Sequence, residues 1–255
     1  MSPDPMPRLQ EPTPPPRVRA INVPGVVLAL IALFALVHWV RTSVLSDVDA
    51  GWVLLNFAFI PGCYGGGDEI CSLRDAWAGV VSPVSHAFLH GDWTHFGANA
   101  IWLLAFGTPV ARRLGVLRFL VFSLIGAVAG AGLFYLLNTD LVQPMIGASG
   151  VVSALMGAAS RFALGSTARP GLRDVAFAPR LSIGRSLTDR TILFFIAIFF
   201  ATNVALGSGA AFLFGEVGSI AWEAHLGGFL FGFLCFAAFD PRHQHEIGLS
   251  GGPTA

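Results

Sequence analysis

From Val23 to Val40 the chain has no acidic residue and no arginine. An α-helix needs about 20 apolar residues to cross a hydrocarbon core of ~30 Å at ~1.5 Å per residue, and this run comes close to that length. Comparable runs extend from Trp93 to about Ala111, from about Leu117 to Leu137, from Thr191 to Leu206 and from Ile220 to Phe239. Inside lipid every backbone N–H and C=O must pair within the protein, so repeated runs of this kind leave helices as the fitting element. No small-residue cleavage pattern follows the first run, which therefore reads as a retained signal-anchor helix.

Composition agrees with a lipid solvent, with 54% hydrophobic and 12% charged residues. The formal net charge is zero and gives no sign of a nucleic-acid partner. The fifteen basic residues are all arginine, and their placement sets an orientation. With the N-terminus in the cytoplasm, every arginine except Arg41 and Arg74 falls on the cytoplasmic side. Both termini are thus expected in the cytoplasm, and localisation in a bacterial inner (plasma) membrane is expected.

Residues 1–20 are rich in proline and carry Arg8, Arg17 and Arg19, the composition of a disordered cytoplasmic tail. Residues 21–240 hold the spans, and 241–255 form a cytoplasmic C-terminal tail. Residues 45–91 make a long mixed connection, expected to be partly helical and to lie partly in the interface, where Trp52, Phe57, Phe59 and Trp77 suit the lipid boundary. Asp92 reads as the N-cap of the second span. The fourth helix is expected to start at Ser149 and meets Arg161 after ~18 Å of rise, too short for the core. Ser149 should therefore lie below the membrane surface.

That serine sits in Met145-Ile146-Gly147-Ala148-Ser149-Gly150, a turn of small residues whose glycines tolerate the dihedrals that turn a hydroxyl outward. Its counterpart is His225. On a helix His225, Gly228 and Gly232 share one face, and the glycines let that face sit almost against a neighbouring helix. If the neighbour is the helix opened by Ser149, a serine nucleophile meets a histidine base. Each feature alone has a plainer reading: a packing serine, a satisfied core histidine, a helix-contact motif. Upstream, His86, His90, His95 and Asn99 form H-x3-H-x4-H-x3-N leading into the second span. Histidines at i and i+4 can ligate zinc, but no acidic or thiol ligand is near them in sequence, so no metal is expected.

Taken together, in this order, these motifs resemble those of the rhomboid intramembrane serine proteases, over nearly everything from the first span to Phe239. The resemblance implies an all-α, six-transmembrane-helix bundle with a long, partly helical first external loop. It implies that Ser149 attacks a peptide carbonyl with His225 as base and then acid, that His95 and Asn99 stabilise the oxyanion, and that His86 and His90 are structural, alongside Gly147, Gly150, Gly228 and Gly232. It implies no cofactor, a lipid bilayer as surroundings and transmembrane proteins as substrates. A non-catalytic rhomboid-like protein that only binds membrane helices is the alternative. Oligomeric state is left open. No carboxylate lies on the His225 face, so a dyad without a third member is expected.

Three positions depart from the family pattern. A Trp-Arg pair of many relatives is replaced by Val81 and Ser82, with Arg74 and Trp77 as substitutes; a glutamate at the inner end of the second helix is replaced by Ala111; an aromatic four residues after the serine is replaced by Ser153. These bear on loop anchoring, the inner end and the orientation of His225. Separately, Cys63 and Cys71 flank a glycine-rich segment of the external loop and are expected to pair if the compartment is oxidising.

Overall fold

The computed structural model describes residues 22–65, 69–165, 175–207 and 221–241. The expected tail at 1–20, all but the first residue of that at 241–255, and residues 208–220 between the fifth and sixth spans lie outside the described residues. Three described helices are long and apolar enough to cross a membrane: α1 (Gly25–Ser43), α7 (Val116–Leu137) and α11 (Trp222–Phe239). The connection after α1 folds into α2 (Asp47–Phe57), a 3-10 turn at Pro61–Tyr64, α3 (Glu69–Ser72), α4 (Ala78–Ser85) and a second 3-10 turn at His86–Phe88. The run expected as one helix from Trp93 is α5 (Trp93–Trp102), a π segment at Leu103–Gly107 and α6 (Thr108–Leu114). Pro109, near the start of α6, has no N–H to give the preceding turn, and a locally widened helix accommodates such a residue. Then follow α8 (Ser149–Ala159), α9 (Ile183–Ser186) and α10 (Arg190–Gly207).

At the centre stands α8, the short helix, with every residue from Gly150 to Ala159 buried. A helix apolar on all sides belongs inside a bundle, and its small residues let neighbours approach closely. Its most extensive contact is with α11. A Cβ added at Gly228 would run into the Gly150 carbonyl, and one at Gly232 into the Ala154 carbonyl. Gly157 returns the contact, its face lying against the Phe229 backbone. The helices thus touch backbone to backbone along one stripe. The outer surfaces of α1, α7 and α10 expose Leu28, Leu36, Leu117, Leu124, Phe194 and Ile198, side chains suited to lipid.

The connection after α1 is stitched to the turn that precedes α8. Phe59 and Met145 exchange two backbone hydrogen bonds, at 3.0 and 2.8 Å, and the Gly62 N–H donates to the Leu141 carbonyl at 2.9 Å. Within the connection Arg74 donates to the Ala58 carbonyl (3.2 Å) and the Tyr64 hydroxyl to the Gly79 carbonyl (2.7 Å), with Ser82 Oγ 3.1 Å from the same hydroxyl. Trp77 packs on Trp52 and Phe57. Arg74, Tyr64 and Ser82 therefore supply the anchoring that the Val81 and Ser82 departure left in doubt. Cys63 and Cys71 form a disulfide with Cα atoms 5.2 Å apart.

At the opposite end, Arg113 at the close of α6 makes a bidentate pair with Asp240, the residue capping α11, at 3.1 and 2.8 Å. Its remaining nitrogen reaches the Ala178 carbonyl at 2.6 Å, and the guanidinium lies 4.5 Å from the Phe162 ring centroid. Arg161 is buried here as well and donates to the carbonyls of Phe233 and Leu181. Ala111 thus sits beside an end of the bundle held by arginines. For the helix contact, replacing Gly232 by Val should lower the thermal stability by ~1 to 3 kcal/mol or more, because its side chain meets fixed backbone. Replacing Gly132 by Ala, where nothing lies within 4 Å, should raise it by ~0.5 to 1 kcal/mol. Thermal melts of the two variants in detergent check this, and equal shifts would disprove the backbone contact.

Candidate active site

Asp92 caps α5, accepting from the His95 N–H at 2.8 Å, and so fixes where the helix begins. One turn on, the Asn99 side-chain amide donates to the His95 carbonyl at 2.9 Å. His95 Nδ1 accepts from the Gly91 N–H at 3.3 Å. A neutral imidazole accepting at Nδ1 carries its proton on Nε2. That Nε2 faces the serine turn: a Cβ added to Gly147 would lie 2.7 Å from it and 3.7 Å from Ser149 Oγ. Gly147 has φ +121°, a backbone region that side chains other than glycine's rarely enter. Glycine is therefore required twice at this position, by its dihedral and by the ring beside it.

Ser149 is the first residue of α8 and His225 lies in the first turn and a half of α11. Both line one cavity of about 1020 Å³, together with His86, His95, Asn99, Gly147 and Gly150. Ser153 and Glu223 also border it. His90, Gly228 and Gly232 do not. The two glycines instead set the helix contact that carries His225 toward α8, and His90 supports the loop. Its carbonyl accepts from His38 Nδ1 (3.1 Å) and Arg41 (2.6 Å), tying α1 to the connection before α5. His86 acts similarly, its carbonyl accepting from the Gly147 N–H at 3.0 Å. Among the described residues no cluster of His, Cys, Asp and Glu is arranged to hold a metal ion.

The sequence reading missed a partner of His225. Its Nδ1 lies 2.5 Å from Oδ1 of Asn203, a buried residue of α10. A carboxylate on the histidine's own helix is not the partner; an amide from a neighbouring helix is. An asparagine within an otherwise apolar run is the signal that was available, since polar groups in membrane helices bond across to neighbours. Glu223 accepts from the Asn138 amide at 3.2 Å.

A cavity that mixes apolar and polar side chains, in a chain with three described helices long and apolar enough to cross a membrane, marks an integral membrane protein with an internal site. Comparison with known proteins gives the family: the rhomboid domain model matches residues 78–241, and the chain belongs to the rhomboid family. It is 28% identical over 186 residues to mitochondrial rhomboid protein 1 of Saccharomyces cerevisiae, covering 70% of this chain and 48% of that protein. It is 32% identical over 161 residues to the rhomboid protease GlpG of Serratia proteamaculans, covering 63% and 48% of the two chains. The GlpG protease of Yersinia pestis is likewise 32% identical, over 164 residues. The match thus spans about half the length of these relatives.

Burial holds both loop histidines neutral. It pushes the His86 pKa down to about 4 and that of His90 to about 3, the latter with further lowering by the charges of His95 and His38. In the unfolded chain each takes up a proton near pH 6.5, so the unfolded state binds more protons below that pH. Stability should accordingly be full above pH 6.5 and fall as the pH drops toward 4, with His86 contributing a loss of ~3 kcal/mol. Melting curves between pH 7 and 4 check this, and His86→Gln should flatten the decline.

Proposed function

We propose that the protein is an intramembrane serine endopeptidase that cuts in or near transmembrane segments of other membrane proteins. The observation that carries this reading is the convergence on one cavity of Ser149, His225 and the Nε2 side of His95. In the first step a bond forms between Ser149 Oγ and the scissile carbonyl carbon while the hydroxyl proton passes to His225 Nε2. The resulting oxyanion is met by the His95 Nε2–H, by the second N–H of the Asn99 amide and by the Ser149 backbone N–H. Donors of this kind, preset in a low-dielectric site, are often worth ~3 kcal/mol each. The C–N bond then breaks as the imidazolium returns its proton to the leaving amine, and water releases the acyl group by the same steps in reverse roles.

The architecture that goes with this function is a six-helix core within residues 21–240. It counts α1, the α5–α6 unit, α7, α8, α10 and α11 as its helices, with the connection between α1 and α5 as a long external loop. Both termini are then cytoplasmic, in a bacterial inner membrane, and residues 1–20 and 241–255 are tails. The chemistry needs no cofactor or metal, and the partners are transmembrane substrates and the bilayer itself. Support comes from the relatives named as proteases, from the depth expected of Ser149 on a short helix, and from the distribution of arginine.

Ser149→Ala and His225→Ala should each abolish cleavage of a generic transmembrane substrate and labelling by a serine-directed fluorophosphonate, with folding intact. Asn99→Ala should lower the rate by ~10- to 1000-fold, since other donors remain. Turnover at the wild-type rate in either dyad variant would remove the proposal, and failure of the wild type to label or cleave would make the protein a non-catalytic binder of membrane helices.

A further inference from the structure

Asn203 holds its amide in one orientation. Its Nδ2 donates to the carbonyl of Phe199, one turn earlier on α10, at 2.7 Å. The oxygen is thereby left facing His225, 2.5 Å from Nδ1. An amide oxygen only accepts, so the imidazole must donate from Nδ1, and in a neutral ring that leaves the Nε2 lone pair for a proton from elsewhere. That is the tautomer a general base toward a serine hydroxyl requires. It is also the role the carboxylate fills where a serine–histidine pair has a third member.

The placement follows from the packing of two antiparallel helices. Phe199 stacks on Phe229 with centroids 4.7 Å apart. A Cβ on Gly207, eight residues after Phe199, would press into the Trp222 ring. Between these contacts, Asn203 and His225 face each other. Phe195, one turn before Phe199, lies 5.6 Å from Phe106 in the π segment, which braces the same stripe from the other side. The register of α10 against α11 is thus fixed above and below the hydrogen bond. Ser153, at the position where some relatives carry an aromatic beneath the histidine, lines the same cavity.

We infer that Asn203 is a positioning residue, fixing the Nδ1–H tautomer and ring plane of His225 from α10 in place of a stacked aromatic. The inference rests on the reading of Ser149 and His225 as nucleophile and base. Its effect should be smaller than that of a carboxylate, because an amide orients the ring without stabilising its charge.

The test is the rate of fluorophosphonate labelling against pH in detergent, for the wild type, Ser149→Ala, Asn203→Leu and Asn203→Asp, with a melting curve for each. Asn203→Leu, which keeps size and removes the acceptor, should label roughly 10- to 100-fold more slowly. Asn203→Asp keeps the acceptor and places a negative charge beside the ring, which favours the imidazolium. It should label within several-fold of the wild type at high pH, with the rising limb of the profile moved to higher pH. The other titratable groups lining the cavity are His86, Asp92, His95 and Glu223, all unchanged between the variants. A merely structural asparagine would move the melting curve and leave the limb where it was. If Asn203→Leu melts below the assay temperature, the limb in Asn203→Asp decides alone. Wild-type rates in Asn203→Leu, or an unmoved limb in Asn203→Asp, overturn the inference while leaving Ser149 as nucleophile. Equal labelling of wild type and Ser149→Ala would instead overturn the reading on which it rests.

Discussion

The backbone contact between α8 and α11 is the constraint on which the rest depends. Lipid offers no hydrophobic drive for one apolar helix to join another, so association rests on close packing and on the few polar groups that bond across. Gly228 and Gly232 admit the carbonyls of Gly150 and Ala154 where any side chain would keep them apart. The same approach brings His225 into the cavity that Ser149 borders. Packing and site thus share one geometry: the glycine stripe that holds the helices together also brings His225 to the cavity that Ser149 lines.

A second set of contacts keeps the serine turn in place. The connection between α1 and α5 donates and accepts backbone hydrogen bonds around residues 141 to 147, and His86 reaches Gly147 directly. This is irregular chain close to a site within the bundle. Its polar groups are tolerable because they pair with one another. The histidines that take part do so through their carbonyls, while their rings are buried and neutral.

Much of this was legible in the sequence because the signals are local. Asp92 marks the start of α5, Ser149 that of α8, and the apolar runs that became α7, α10 and α11 agree with their helices to within a residue or two. The glycine face of α11 was readable from its spacing alone, since period and side-chain size decide which surface can approach a neighbour. What escaped was set by pairing across elements. Asn203 meets His225 only because α10 runs antiparallel to α11 in a particular register, and no local pattern encodes register. The Arg113–Asp240 pair joins residues 127 positions apart in the chain. The π segment was within reach through Pro109, but an apolar run by itself does not say how its turns are wound. The short helices of the external connection stayed hidden because elements of this length have little periodicity.

The knot around Arg113 has a bearing on how the protein comes to be made. Arg113 is buried at the end of α6, with Asp240 as its counter-ion and the carbonyls of Ala176 and Ala178 as further acceptors. A buried guanidinium without its carboxylate is strongly unfavourable, by ~3 to 5 kcal/mol for a broken pair. During synthesis α6 leaves the ribosome long before Asp240 exists. Until then Arg113 must stay in water or among lipid headgroups. The packing of α6 against this end of α11 therefore waits for Asp240, the residue that caps α11, and a carboxylate made late in the chain completes a pocket that the earlier helices leave open.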